Sequence, residues 1–356
     1  MKLLKFPLLV QDEILDNMNY RNLFLLSFVS KKVKKLIKYS QMKRFESIDS
    51  IRYYCCLPDK LVVYVYSKHC RENVLLISQR QKTTRKDCFQ SNLSGKIVDF
   101  LFPSSVALFD PWDRDSVFNS IHNNFLDFFG DSLKCLWPTN TYENPVPQLR
   151  NMKACFESLC VNEYTDLETL NNFFALSPAW EHIHALFETT IEVGPDSKFY
   201  QAESIEICQK ESSSPAMLLH FQGRQAFIKC EECEISDLIE FVNRWKLGEG
   251  FQNLEYLRID INSGEFSLFL HGRPNSEILK AFEAKHINRT KQPPTHTLPR
   301  VYLEDGSPEP NTDPITSRTY VVRKSDNRVA SVLIQKKTLR FGVWDKTEEE
   351  FLGMLE

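Results

Sequence analysis

Residues 6–37 read FPLLVQDEILDNMNYRNLFLLSFVSKKVKKLI, and their apolar positions recur at helical spacing: Ile14, Leu15 and Met18, then Leu23, Leu26 and Val29, then Val33, Leu36 and Ile37. Three short helices follow from that spacing. Pro7 suits the start of the first. Asn19 and Ser30 are placed to cap the second and third, because their side-chain oxygens accept from otherwise unpaired backbone N–H groups. Helices this short are unstable alone, so they must pack on one another or on a partner. Thirty-odd residues make little core, so some of these apolar side chains should face another body.

Charge sets the same segment apart. Residues 1–44 carry ten Lys/Arg against three acids, a surplus of seven positive charges, and the whole chain is −3, which leaves the remainder at −10. Such a contrast suits an acidic partner. Gln11, Asp12 and Glu13 interrupt the first apolar run before a secretory signal could form, and no stretch reaches the ~20 apolar residues of a membrane helix. A soluble intracellular protein, cytoplasmic or nuclear, is expected, with no membrane contact. Its ten cysteines should then be reduced and mostly buried. The sequons at Asn92 and Asn288 should stay unmodified.

Beyond Arg44 the pattern changes. Leu61–Tyr66 (LVVYVY) and Val74–Ile77 (VLLI) read as strands, 117–129 as a helix and 133–137 as a strand. From residue 155 a rhythm of strand, helix and strand appears: Glu157–Val161, a helix led by Asp166, and Thr190–Val193. It returns as 227–229, 236–242 and 254–261. ESLCVNEYTDLETLNNFF (157–174) and QAFIKCEECEISDLIEFV (225–242) superpose their apolar positions with about one gap. Units that cannot bury their own apolar faces stack, as in leucine-rich solenoids. Residues 288–318 hold six of the 17 prolines and are expected to be an exposed, mobile loop. A hairpin over 320–323 and 330–334 and a strand over 338–344 complete the chain.

Phe6-Pro7, Ile14-Leu15, Leu23 and Val29-Ser30-Lys31 give residues 6–37 a close resemblance to the F-box motif, although Phe6, Val33 and Asn19 replace the commoner Leu, aromatic and Asp. LIEFVNRWKLGEGFQNLEYLRIDI (238–261) and YVVRKSDNRVASVLIQKKTLRFGVW (320–344), the latter with Arg323, Asp326 and Ala330, resemble the F-box-associated domain expanded in nematode F-box families. The resemblance implies an α+β or α/β chain: a three-helix F-box at 1–44, a linking α/β region at 45–150, and an F-box-associated domain at 151–356. That last part would be a leucine-rich-repeat-like α/β solenoid, or an irregular α/β domain ending in β-strands. It also implies a non-catalytic substrate adaptor of a Skp–cullin–F-box ubiquitin ligase. The Skp-family adaptor, and through it a cullin, would be bound by Phe6, Pro7, Leu8, Ile14, Leu15, Met18, Leu23 and Phe24. A protein substrate would be held by unassigned residues of the C-terminal domain. A non-degradative scaffold and an enzyme of unknown type are the alternatives.

Other candidate chemistry has a plainer reading. Lys31, Lys32, Lys34 and Lys35 could meet nucleic acid, but Val33, Leu36 and Ile37 fix a buried stripe between them and no aromatic residues interleave. Cys230-x-x-Cys233 lacks the second ligand pair of a zinc site, so both read as structural thiols. His182 and His184 share a strand face without a third ligand. No phosphate-loop, nucleophile-elbow or zinc-protease motif occurs, so no cofactor, metal, catalytic residue or nucleic-acid partner is expected.

Overall fold

The computed structural model describes residues 3–57, 60–67, 70–81, 88–93, 95–101, 104–189, 193–210, 217–231, 235–261, 275–303 and 309–355. The chain forms two compact units: Met1–Thr139 with Val146–Ala154, and Asn140–Pro145 with Cys155–Glu356. No described helix is long and apolar enough to cross a membrane.

The first unit opens with the helices α1 (Leu8–Asp16), α2 (Tyr20–Ser27), α3 (Lys31–Ser40) and α4 (Met42–Glu46). Asn19 accepts from the Asn22 N–H at 2.9 Å and Ser30 from the Val33 N–H at 3.2 Å, so both expected caps form. The fourth helix was not expected. There follow β1 (Ile48–Leu57), β2 (Lys60–Ser67), β3 (Cys70–Gln79), β4 (Cys88–Leu93), β5 (Lys96–Leu101), β6 (Val106–Phe109), α5 (Arg114–Phe129) and β7 (Cys135–Thr139). The sheet order is β7-β1-β2-β3-β6-β5-β4.

Strand alternation explains how this sheet takes its cover. Tyr53, Val63 and Val65 point to one face and are buried, whereas Arg52, Tyr54, Tyr64 and Tyr66 alternate with them and stay partly exposed. Helix α5 belongs to the buried side. The Tyr53 hydroxyl donates to His122 Nδ1 at 2.8 Å, and His122 Nε2 donates to the Arg150 carbonyl at 2.6 Å. Phe118 lies edge-on to Phe109 at 5.5 Å.

The second unit carries β8 (Met152–Val161, which begins in the first unit), α6 (Leu167–Leu176), β9 (Trp180–Phe187), β10 (Ser204–Gln209), α7 (Met217–His220), β11 (Gln225–Cys230), α8 (Ile235–Leu247) and β12 (Tyr256–Ile261). It ends with α9 (Asn275–Ala281), β13 (Lys285–His286), β14 (Thr295–His296), β15 (Ile315–Thr316), β16 (Thr319–Val322), β17 (Arg328–Gln335), β18 (Thr338–Thr347) and α10 (Glu348–Gly353). Its main sheet runs β8-β9-β10-β11-β12-β18-β17-β16-β13. Strands β9 to β12 are parallel and in chain order, and β18, β17 and β16 continue antiparallel. Ile183, Ile205, Ala226 and Leu257 stand in register as one buried row, and Ala185, Ile207, Ile228 and Ile259 as the next. Each strand thus completes its neighbour's core.

Three expectations need correction. The strand expected at 190–193 is displaced: β9 runs Trp180–Phe187, Thr190 to Glu192 lie outside the described residues, and Val193 is in no strand. Residues 288–318, expected as an exposed mobile loop, are exposed over 288–292 but in part packed beyond them, among the described residues. His296, Thr312 and Ile315 are buried, β14 pairs with β15, and Pro299 bridges to Asn311. Prolines bar the segment from a central strand but not from lying flat across one. The cysteines are less buried than expected: Cys135, Cys155 and Cys230 are buried, but Cys70, Cys88 and Cys160 are exposed. The chain is thus mixed, with an N-terminal helical segment and a sheet-rich C-terminal part.

Candidate functional site

The helices α1 to α3 divide their apolar residues between an inner and an outer set. Leu15, Leu23, Phe24, Val33 and Ile37 are buried. Phe24 stacks on Phe125 with centroids 4.3 Å apart and meets Phe128 edge-on at 5.7 Å. Leu15, Leu23 and Phe24 were expected to face an adaptor. Instead all three are fully buried, and α5 brings the rings of Phe125, Phe128 and Phe129 against Phe24. Of the other expected anchors, Phe6, Pro7 and Leu8 are exposed and Ile14 and Met18 are half-buried. Around them lie apolar side chains that sequence reasoning left out of the set. Leu9 is 84% exposed, Val29 is 70% exposed, Leu4 and Val10 are exposed, and Leu25 and Leu26 are half-buried. The run Phe6 to Val10 contained that signal, since five consecutive apolar positions cannot all face inward from one helix.

The basic surplus is also divided. Arg21 donates to Ser105 Oγ and to the Ser104 carbonyl, each at 2.7 Å. Lys34 pairs with Asp127 at 2.6 Å and Lys38 with the same carboxylate at 3.2 Å, which holds the Asp127 carboxyl below its usual range, chiefly through the Lys34 hydrogen bond. Arg44 donates to the Met18 carbonyl at 2.6 Å and lies over the Tyr20 ring. The Glu72 carboxylate accepts from the Tyr20 and Arg21 N–H groups, closing the N-terminus of α2. Among the described residues Lys5, Lys31, Lys32, Lys35, Lys38 and Lys43 stay exposed, Lys38 while paired with Asp127.

Where α1 ends and α2 passes into α3, Met18, Leu25, Leu26, Phe28 and Val29 line an open groove of about 390 Å³ whose far wall is Phe89 of β4. Phe28 and Phe89 are 6.4 Å apart, and both rest on the buried Phe100, at 5.0 and 5.3 Å.

In the second unit the polar face of the parallel strands is occupied by the chain itself. His182, Ser204, Gln225 and Tyr256 share one register row. Tyr302 stacks on His182 at 4.6 Å, while Gln225 donates to the Pro299 carbonyl and accepts from the Val301 N–H. Burial holds the His182 imidazole down to about 3, so it is neutral there. At the edge of the row, His296 Nε2 donates to the Val343 carbonyl, and a Cβ on Gly342 would come within 2.6 Å of the His296 ring. The adjoining charges are paired: Lys229 with Glu206 at 3.1 Å, and Arg258 with Asp260 at 2.8 Å and with Asp313 at 2.5 Å.

Among the described residues no three His, Cys, Asp or Glu side chains gather as metal ligands. His182 and His184 do share a face, but His182 is enclosed by Tyr302 and Ser204. Cys230 is buried and Cys233 lies outside the described residues. Burial pushes the Cys135 thiol up to about 12, which leaves it unreactive.

Searches of curated proteins and of solved structures each returned no match. Residues 3–45 match the F-box domain, whose bearers are generally non-catalytic adaptors, and the domain implies a role in substrate recognition by a Skp–cullin–F-box ubiquitin ligase.

Proposed function

We propose that the chain is the substrate-recognition subunit of such a ligase and docks a Skp-family adaptor, and through it a cullin, with the outer apolar set of α1 and α2. Phe6, Pro7, Leu8, Ile14 and Met18 make the contact together with Leu9 and Val10, whereas Leu15, Leu23 and Phe24 hold the helices in place. The observation that carries this reading is the row of exposed apolar residues from Leu4 to Val10 within a matched F-box. A surface so apolar is stable in water chiefly when a partner covers it.

The second unit then presents a protein substrate. Its chain-ordered parallel strands β9 to β12 support a leucine-rich-repeat-like arrangement, and its hairpin with Arg323 and Asp326 supports kinship with the F-box-associated domain of the nematode-expanded families. The chain carries out no chemistry, binds neither nucleic acid nor membrane, and works in the cytoplasm or nucleus.

Binding of the purified chain to a Skp-family adaptor tests the reading, with Leu8→Glu, Leu9→Glu as the comparison. Both side chains are exposed in the free chain, so the variant should fold normally, but two carboxylates in an apolar contact should abolish association at micromolar concentrations. A folded wild-type chain that does not bind would overturn the proposal.

A further inference from the structure

We infer that the adaptor-docking surface runs off the F-box and onto the first sheet, with Phe89 of β4 as a contact residue. The occupant of the groove is an apolar segment of the same adaptor, flanked by acidic side chains. This rests on the docking reading above and extends it to a strand more than forty residues beyond the matched domain.

Continuity is the first ground. Met18, half-buried at the end of α1, is both one of the proposed adaptor contacts and part of the groove wall, so a partner that reaches Met18 from α1 has reached the groove. Preorganisation is the second. Phe28 and Phe89 are held by the buried Phe100, and Phe28 also meets the buried Phe24 edge-on at 4.9 Å, so both walls of the groove are fixed before anything binds. Rigid aromatic walls are where binding energy concentrates, because little side-chain freedom is lost on contact. Charge is the third. No acidic residue lines the groove, and Val29 on its rim is followed at once by the exposed Lys31 and Lys32. An apolar segment with acidic flanks fits that arrangement, and a basic one does not.

The test uses the full chain and a purified Skp-family adaptor. Phe89→Ser should weaken binding about tenfold or more. Ile97→Ser, at an exposed apolar position on β5 away from the groove, should leave it within twofold. Hydrogen exchange on the wild-type chain checks the same point without a substitution: the Cys88–Leu93 amides should slow when adaptor is added. Wild-type affinity in Phe89→Ser with no protection at Cys88–Leu93 would overturn this inference and leave the docking reading standing if Leu8→Glu, Leu9→Glu still abolishes binding. A folded wild-type chain that fails to bind would overturn both.

Discussion

The two units treat their surfaces in opposite ways. Among the described residues, eight of the fifteen exposed large apolar side chains lie between Leu4 and Met42, so the first unit concentrates in its opening segment what the rest of the described chain scatters singly. The second unit lays its own residues 295–302 across the polar face of its strands, where Tyr302, Arg300 and His296 meet His182, Phe227 and Trp344. On the docking reading proposed above, one unit would be finished by a partner and the other largely by itself. Substitutions in the outer set of the first unit should therefore cost binding and not stability. Comparable substitutions in the second should do the reverse.

The largest expected effect is on the second unit's core. Trp245 of α8 is fully buried, edge-on to Phe341 at 5.1 Å with the Arg323 guanidinium over its ring. Trp245→Ala should cost roughly 3–5 kcal/mol in urea unfolding, from lost burial and the cavity left behind. Adaptor binding of the molecules that stay folded should not change. In Leu8→Glu, Leu9→Glu the pattern inverts, with binding lost and stability within about 0.5 kcal/mol of wild type. If the glutamates instead unfolded the first unit, the outer set would be core and the contrast would collapse.

Acid should separate the units next. Burial depresses the imidazoles of His182 and His296 in the second unit and of His122 in the first, so each is neutral when folded. Below pH ~6.5 the unfolded chain takes up protons that these folded sites refuse. Stability present above that pH is therefore lost as pH falls, for His182 down towards about 3. Between pH 6.5 and 5 the His182 share is on the order of 1–2 kcal/mol. Unfolding monitored against pH should show the second unit, with two such groups, loosening before the first. His182→Asn should flatten the slope over that window.

How much of this the sequence disclosed follows from the range of the interactions involved. The helices α1 to α3 and the caps at Asn19 and Ser30 depend on residues three or four apart, and they could be read directly. Which apolar residues faced inward could not. Phe24 is buried against Phe125, Phe128 and Phe129, about a hundred residues on, and no local period reports that. Residues 295–303 and 309–316 misled for the same reason. Their prolines are a local signal of a loop, while what seats them is distant: the bare Cα of Gly342, the amide of Gln225 and the ring of His182. Alternation puts His182 and His184 on one strand face, yet β9 falls outside the strand, helix and strand rhythm because WEHIHALF sets Glu181 and His182 at buried positions, which breaks the apolar alternation that marks a half-buried strand.

The smallest effect separates position from contact within the docking helices. Ser30 holds the N-terminus of α3 through the Val33 N–H, and neither its side chain nor that bond belongs to the groove or to the exposed row before it. Ser30→Ala should cost about 1 kcal/mol in stability and Ser30→Gly only a few tenths, since glycine still fits the cap backbone and leaves the N–H open to water. Adaptor affinity should move by less than about threefold in either, because Val33 and Ile37 still pin α3 to the core. A larger loss of affinity from Ser30→Ala than from Phe89→Ser would mean that the partner reads the start of α3, and the boundary of the docking surface would shift from the sheet back onto the helices.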